Sequence, residues 1–265
     1  MKKVFIFTNI NKESKKDKEF LLNKLKNHNI LVTEELTNDT DLIFCVGGDG
    51  TLLKLVQKLE FPTIPICGLN TGHLGFFQEI DSTNIDVFLD NFLKDDIIIQ
   101  PYNIVKADIK VDGKTITHHA LNEFVIRGTT NNLVHLGISI NDSFIENFSG
   151  DGILISSPAG STAYNYSLSG SLVDPRLNLI QVTPMAPMNT SAYRSLTSSI
   201  LIPATDRIIL KPQDSRSETL KILFDGEDEK YDNIEELSFI LSKRKINLVL
   251  FGNLTFWDKV KEKFL

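Results

Sequence analysis

Cysteine is nearly absent. The 265 residues hold two, Cys45 and Cys67, each inside an apolar run and neither with another ligand type at metal-binding spacing. That excludes a disulfide-stapled scaffold and a cysteine-held metal, and both thiols read as buried core residues. Positive charge is also in deficit. Lys and Arg number 28 against 34 Asp and Glu, for a net charge of -6, so no global field exists to neutralise a phosphate backbone and no nucleic acid partner is expected. Long apolar runs are missing as well. Met1-Lys2-Lys3 leads into Val4-Phe5-Ile6-Phe7, well short of a signal-peptide core or a membrane span, so a cytoplasmic protein with no membrane partner is expected. The lysines from Lys12 to Lys18 are interleaved with acids and followed by Phe20, Leu21 and Leu25 at helical spacing, which makes them a solvated helix face. There is no internal repeat and no low-complexity linker.

What is present is hydrophobic content of 42%, enough for one large core or two modest ones. The first hundred residues alternate β-rich runs with amphipathic helices, the pattern of a parallel, Rossmann-like sheet. Strands are predicted at Val4 to Thr8, at Leu42 to Val46 and at Thr63 to Cys67. Thr51 is predicted to cap a helix whose Leu52, Leu55, Val56 and Leu59 form one stripe, and Ser82 precedes another with Ile85, Phe88, Leu89 and Phe92. After Pro101 the runs become short and alternating: Val105 to Val111, Thr115 to Thr117, Phe124 to Arg127, Gly137 to Ile140 and Ser199 to Ile202. The dipeptides Asp112-Gly113, Asn141-Asp142 and Asp225-Gly226 are hairpin turns between such runs, which predicts a β-rich, sandwich-like second domain. Thr255, with Asp258 three residues on, starts a last helix whose Trp257, Val260 and Phe264 need cover. The expected division is an α/β domain over 1–100, rejoined by the helix 253–265, and a β-rich domain over 101–252.

The chemistry centres on Gly47-Gly48-Asp49-Gly50-Thr51, set between a buried strand and a helix start, where open α/β sheets bind ligands. Glycines let backbone N–H groups approach a phosphate, and the helix adds its positive end. The acid is the odd member. A carboxylate facing phosphates repels them unless it holds a metal or takes a proton from an attacking hydroxyl, which points to a catalytic Asp49; the alternative is a plain glycine turn with a capping aspartate. Two familiar phosphate motifs fail. Gly113-Lys114-Thr115 ends like a P-loop but position 108 is Asp108, and Gly48-x-Gly50 meets Leu53 where a dinucleotide fingerprint needs glycine. A second loop, Asn70-Thr71-Gly72-His73-Leu74-Gly75-Phe76, follows the third strand onto the same sheet edge. Further on, Asn122-Glu123 pairs an amide with a carboxylate that can grip vicinal ribose hydroxyls. The run from Gly150-Asp151-Gly152 through Ser156 to Ser167 offers hydroxyls and free N–H groups, with Tyr164 as a stacking or hydroxyl donor.

Taken together and in this order, these segments resemble the NAD kinase family. Diacylglycerol, sphingosine and phosphofructokinases carry similar glycine-aspartate turns, but Asn122-Glu123 with Gly160-Ser161-Thr162-Ala163-Tyr164 after Asp151 is far more specific. The resemblance implies an enzyme that transfers the terminal phosphoryl group of ATP, or of polyphosphate, to the 2′-hydroxyl of the adenosine ribose of NAD, giving NADP. It implies Mg²⁺ or another divalent cation with the donor, no residue held as a standing metal ligand, and assembly into a homo-oligomer, dimer or tetramer. Asp49 would be the base. Gly47, Gly48, Gly50 and Thr51 would cradle phosphate, and Asn122 and Glu123 would hold the adenosine side. Asp151 would face the nicotinamide; Thr162, Ala163, Tyr164, Asn165 and Ser167 would line the pocket, and Gly50, Phe76 and Ala186 would complete its wall near the adenine. The chain departs from the family pattern at Ser149, at Ser169-Gly170-Ser171, at Met188 and at Glu227. The competing readings are a lipid or sphingoid kinase sharing the glycine turn, and an NAD(H)-binding sensor without catalysis.

Overall fold

The structure, a computed structural model, describes residues 1–9, 12–70, 72, 75–129, 133–189, 194–213, 219–252 and 254–265. The chain divides into two compact units, Met1–Tyr102 with Lys245–Leu265, and Asn103–Arg244.

The first unit opens with β1 (Lys3–Thr8), α1 (Lys12–Asn27), β2 (Leu31–Thr33), β3 (Leu42–Val46), α2 (Asp49–Lys58), β4 (Ile66–Leu69), β5 (Gln78–Ile80) and α3 (Ile85–Leu93). All its strand pairs are parallel, in the order β2-β1-β3-β4-β5. Every residue of β3 is buried, as its unbroken apolar run between Asp41 and Gly47 requires of a strand covered on both faces. The helices supply that cover: Leu21 and Leu25 of α1 and Ile85, Phe88, Leu89 and Phe92 of α3 pack with Val4, Leu42, Phe44 and Val46 in one cluster. Each such side chain contributes about 1.5–3 kcal/mol by leaving water. Cys45 and Cys67 are buried free thiols, and burial pushes the Cys45 thiol up to about 12. Two boundaries differ from expectation. Strand β4 begins at Ile66 and not at Thr63, because Pro65 has no N–H to donate and contributes only its carbonyl, to Ile43 N at 2.9 Å. Helix α3 starts at Ile85, after an Asp81–Asn84 turn in which each side chain accepts from the other's backbone N–H.

Among its described residues, the second unit's regular elements are strands apart from one short helical stretch. After β6 (Ile98–Val111) come β7 (Lys114–Ala120), β8 (Glu123–Gly128), β9 (Val134–Ile140), β10 (Ser143–Gly150) and β11 (Gly152–Ser156). A 3₁₀ turn (Ala159–Thr162) and a four-residue α4 (Tyr164–Ser167) precede β12 (Leu179–Met185), β13 (Ile200–Pro203), β14 (Ile208–Pro212), β15 (Leu220–Phe224), β16 (Glu227–Tyr231) and β17 (Ile234–Leu250). One antiparallel sheet runs β13-β12-β11-β8-β15-β16. A second layer includes the β6–β7 hairpin and the antiparallel pairs β10–β9, β9–β14 and β14–β17. Their inner faces meet in a core that joins Phe124, Ile126, Ile153 and Ile155 of the first sheet to Val105, Leu136, Leu210 and Phe239 of the other. The predicted hairpin turns hold: Asp112-Gly113 and Asp225-Gly226 have positive φ at both residues, and Asn141 has φ of 52°, as two-residue hairpins demand.

The chain returns to the first unit at Lys245, through the end of β17, where Leu248 pairs in parallel with Ile66. It ends in α5 (Phe256–Phe264), capped as predicted: Thr255 Oγ1 accepts from Asp258 N at 3.2 Å and Asp258 Oδ2 accepts from Thr255 N at 2.8 Å.

Candidate functional site

The candidate residues fall into two groups, each held within one unit. In the first unit, α2 begins at Asp49, with Gly48 as its N-cap. Thr51 is therefore the third residue of the helix and not its cap. Its side chain is buried, and its Oγ1 accepts from Asn9 Nδ2 at 3.1 Å. Gly47 has φ of 144°, and a Cβ there would lie 2.4 Å from Thr51 Oγ1, so Gly47 and Thr51 form the framework of the turn. Gly48 and Gly50 differ: a Cβ on either would meet nothing within 4 Å. No side chain caps the helix; Thr51 N donates to Gly48 O at 2.8 Å, while Gly48 and Gly50 are exposed, and the first turn of a helix leaves N–H groups without a partner inside the helix. This is the anion-binding geometry of a helix N-terminus.

Asp49 is held from two directions. Its Oδ2 accepts from Phe76 N and its Oδ1 from Phe77 N, each at 3.1 Å, which is why the loop after β4 returns so closely. Gly75 makes the approach possible, since a Cβ there would fall 2.5 Å from Asp49 Oδ1. Thr71, His73 and Leu74 of that loop lie outside the described residues; Gly72 N donates to Asn70 Oδ1 at 3.0 Å. Phe76 is itself buried, its ring packed 6.1 Å from Phe256 and 5.8 Å from Phe264, so it is a wall for Asp49 before it is one for a ligand. Four further residues of this unit, Lys259, Glu79, Lys263 and Gln78, were missed from sequence. Lys259 Nζ donates to Phe76 O at 3.1 Å and pairs with Glu79, both side chains 6% exposed. Lys263 Nζ lies 3.4 Å from Asp49 Oδ2. Gln78, beside Asp49 behind Gly75, is buried with neither amide atom hydrogen-bonded.

In the second unit, Asn122 and Glu123 are gripped through their backbone. Asp225, in the β15–β16 turn, accepts from Leu121 N at 2.6 Å and Asn122 N at 2.8 Å. Asn122 O in turn accepts from Ser157 N at 2.9 Å, and a Cβ on Gly160 would lie 2.2 Å from it. Two motifs far apart in sequence thus touch. Their side chains are left over: Asn122 Oδ1 and Glu123 Oε2 are sealed from solvent without a hydrogen-bond partner, the condition expected of groups waiting for a polar ligand. Burial, and then the Asp225 charge, push the Glu123 carboxyl up to about 8.

The 159–167 stretch presents Thr162 and Ala163 half-buried, with Tyr164 and Ser167 exposed. Asn165 differs. It is fully buried, its Oδ1 accepting from Thr183 Oγ1 at 2.6 Å and its Nδ2 donating to Ser161 O and Ser171 O, so it holds the loop from within. Asp151 is exposed at the start of β11, its N–H on Met185 O at 2.9 Å, and Ala186 follows with φ of 42°. These two mark the end of β11 opposite Ser156, which pairs with Glu123; at about 3.3 Å per residue the strand separates the ends by roughly 13 Å. Ser149, one of the departures, is buried with its Oγ 2.8 Å from His135 Nδ1. Among the described residues no three His, Cys, Asp or Glu side chains could hold a metal ion, and no helix is long and apolar enough to cross a membrane.

The chain matches the model of the ATP-NAD kinase N-terminal domain over residues 5–97 and that of the ATP-NAD kinase C-terminal domain over 121–251. An NAD kinase of Finegoldia magna is 39% identical over 264 residues, 98% of this chain and 97% of that one. An NAD kinase of Streptococcus gordonii is 34% identical over 268 residues, 100% and 96% of the two chains. Among solved structures, yeast NADH kinase complexed with NADH matches with a TM-score of 0.84 at 21% identity, over 100% of this chain and 87% of that one. An NAD kinase from Archaeoglobus fulgidus in complex with ATP matches at 0.75 and 22%, over 98% and 99%.

Proposed function

The chain belongs to the NAD kinase family, an enzyme that phosphorylates NAD, and from that premise we propose that Asp49 is its base. As the terminal phosphoryl group of ATP passes to the 2′-hydroxyl of the adenosine ribose, Asp49 takes the hydroxyl proton and NADP forms. The observation that carries this reading is the position of the carboxylate: first residue of α2, held by Phe76 N and Phe77 N, beside a helix N-terminus that no side chain caps. Phosphoryl transfer has a loose transition state, so orientation and charge neutralisation do most of the work and one base adds about 10²–10⁴-fold. The free N–H groups at Gly48 and Gly50 neutralise donor phosphate.

Asn122 and Glu123 bind the adenosine side through their unpartnered oxygens, with Asp225 and Gly160 fixing their backbone. Thr162, Ala163, Tyr164 and Ser167 line the dinucleotide site, Asn165 keeps that loop in shape, Asp151 receives the nicotinamide end, and Ala186 borders the adenine. Gly50 and Phe76 border the acceptor. A divalent cation such as Mg²⁺, bound with the donor, would neutralise charge on its phosphates, whose own oxygens would supply most of its ligands; Asp49 would be the carboxylate nearest to it and would keep its role as base. Polyphosphate can occupy the same anion site. The protein works in the cytoplasm as a homo-oligomer.

The test is NADP formation from NAD with ATP or polyphosphate, in wild type and Asp49→Asn side by side. Loss of turnover by about 10²-fold or more with NAD affinity preserved is the expected result; wild-type turnover in the variant refutes the role of Asp49.

A further inference from the structure

A carboxylate beside a phosphate site needs an answer to its charge, and the answer comes from the far end of the chain. Lys263, in the last turn of α5, brings its Nζ to 3.4 Å from Asp49 Oδ2 and to 4.9 Å from the centre of the Phe76 ring. The helix that carries it is docked. Thr255 and Asp258 form a capping box, Phe256 and Phe264 flank the Phe76 ring, and one turn before Lys263 the buried Lys259 donates to Phe76 O. Lys263 is therefore delivered to Asp49 by a fixed element.

The contact itself is loose. At 3.4 Å, with the two side chains 38% and 28% exposed, it is longer than the usual 2.7–2.9 Å of a charge-assisted bond, and pairs of this kind add little stability. Its value lies in what adjoins it. The open N-terminus of α2 starts at the residue Lys263 touches, so an anion held there comes within reach of a four-carbon stem ending in a point charge.

We propose that Lys263 is a further catalytic residue, whose ammonium group leaves Asp49 on donor binding to contact the transferring phosphoryl group of the nucleoside triphosphate. This rests on the reading of Asp49 as base. In the step, the acceptor oxygen bonds to the terminal phosphorus while the bond from that phosphorus to the β–γ bridging oxygen breaks. The nucleoside diphosphate leaves with the electron pair, the hydroxyl proton passes to Asp49, and Lys263 remains protonated. Its charge offsets the repulsion between Asp49 and the incoming phosphate and frees the carboxylate for the hydroxyl.

The experiment uses the full chain. Steady-state NADP formation is measured for wild type, Lys263→Met and Lys263→Arg with ATP and NAD varied separately. ATP affinity is measured by calorimetry in Asp49→Asn and in Asp49→Asn with Lys263→Met. We expect Lys263→Met to lower kcat/KM for ATP by about ten- to a hundred-fold, the value of a charge-assisted bond, with KM for NAD within about twofold, and Lys263→Arg to recover most of it. ATP should also bind more weakly without Lys263 when residue 49 is already neutral, because the contact is to phosphate and not only to Asp49. Thermal melts check docking of α5, and Lys263→Gln replaces the Met variant if that one fails to fold. Unchanged kcat/KM in the neutral variants, no recovery with Arg, or equal ATP affinity in the two Asp49→Asn proteins overturns the proposal. A fully active Asp49→Asn protein would instead remove the base assignment, leaving the affinity comparison to decide on Lys263.

Discussion

Gly75 stands directly against Asp49: a Cβ at position 75 would lie 2.5 Å from Asp49 Oδ1 and 1.7 Å from Gln78 Oε1. The alanine variant must displace both groups, because real Cβ atoms do not approach so closely in a packed interior. The adjacent N–H groups of Phe76 and Phe77 are what hold the carboxylate, so the displacement falls on the proposed base. Gly75→Ala should reduce kcat for NADP formation by about 10²-fold, the scale of a misplaced reacting group. NAD affinity, assigned to the second unit, should change little. An alanine variant with wild-type kcat would show that the loop and the carboxylate move independently.

Legibility in the sequence followed the range of the interaction. Strand β3 was readable because its apolar run is bounded by Asp41 and Gly47, and the hairpins because Asp112-Gly113 and Asp225-Gly226 adopt the positive φ that only such dipeptides tolerate cheaply. The last helix announced itself through Thr255 and Asp258. Three-residue strands such as β2 and β5 are too short to show a period. The start of α2 was misplaced for a physical reason: with Gly48 as N-cap, the usual side-chain signal is absent, and the first hydroxyl met, Thr51, lies inside the helix. At the site, the motif residues themselves were readable, but their supports were not. Asp225 reaches Asn122 across 103 residues and Lys263 reaches Asp49 across 214, and no local pattern encodes either contact.

The Lys259–Glu79 pair yields a stability prediction. Both side chains are 6% exposed. Burial raises the Glu79 carboxyl above its usual range while Lys259 and Phe251 N pull it down. Removing Lys259 leaves an uncompensated buried acid, which costs about 3–5 kcal/mol, whereas replacing both partners by apolar groups is nearly neutral. Lys259→Met should lower Tm sharply at pH 7 and less at pH 5, where protonating the lone Glu79 is easier. The double variant Lys259→Met, Glu79→Leu should recover most of the loss. Differential scanning calorimetry decides: equal damage in single and double variants would mean that Lys259 acts through Phe76 O alone.

Glu123 yields the pH dependence. Its folded-state value is raised, by burial first and the Asp225 charge second, from about 4.5 to about 8. A carboxyl raised on folding favours the folded state in its protonated form. Its contribution is therefore complete below about pH 4.5, declines as pH rises above that, and is lost once pH passes about 8; each unit of separation is about 1.4 kcal/mol. Glutamine keeps the shape and cannot ionise, so wild type and Glu123→Gln should melt at similar temperatures near pH 4.5 and diverge in favour of glutamine up to about pH 8. Above that pH the gap should stay constant. Melts of the ligand-free protein from pH 4.5 to 9 measure it, and a gap that does not vary with pH would show that Glu123 ionises freely in the folded chain. The same protonation bears on binding. If a ribose hydroxyl donates to Glu123, the ionised form gains a partner, and NAD binding at pH 7 should release a proton. Calorimetry in buffers of different ionisation enthalpy detects that proton in the wild type, and it should vanish in Glu123→Gln.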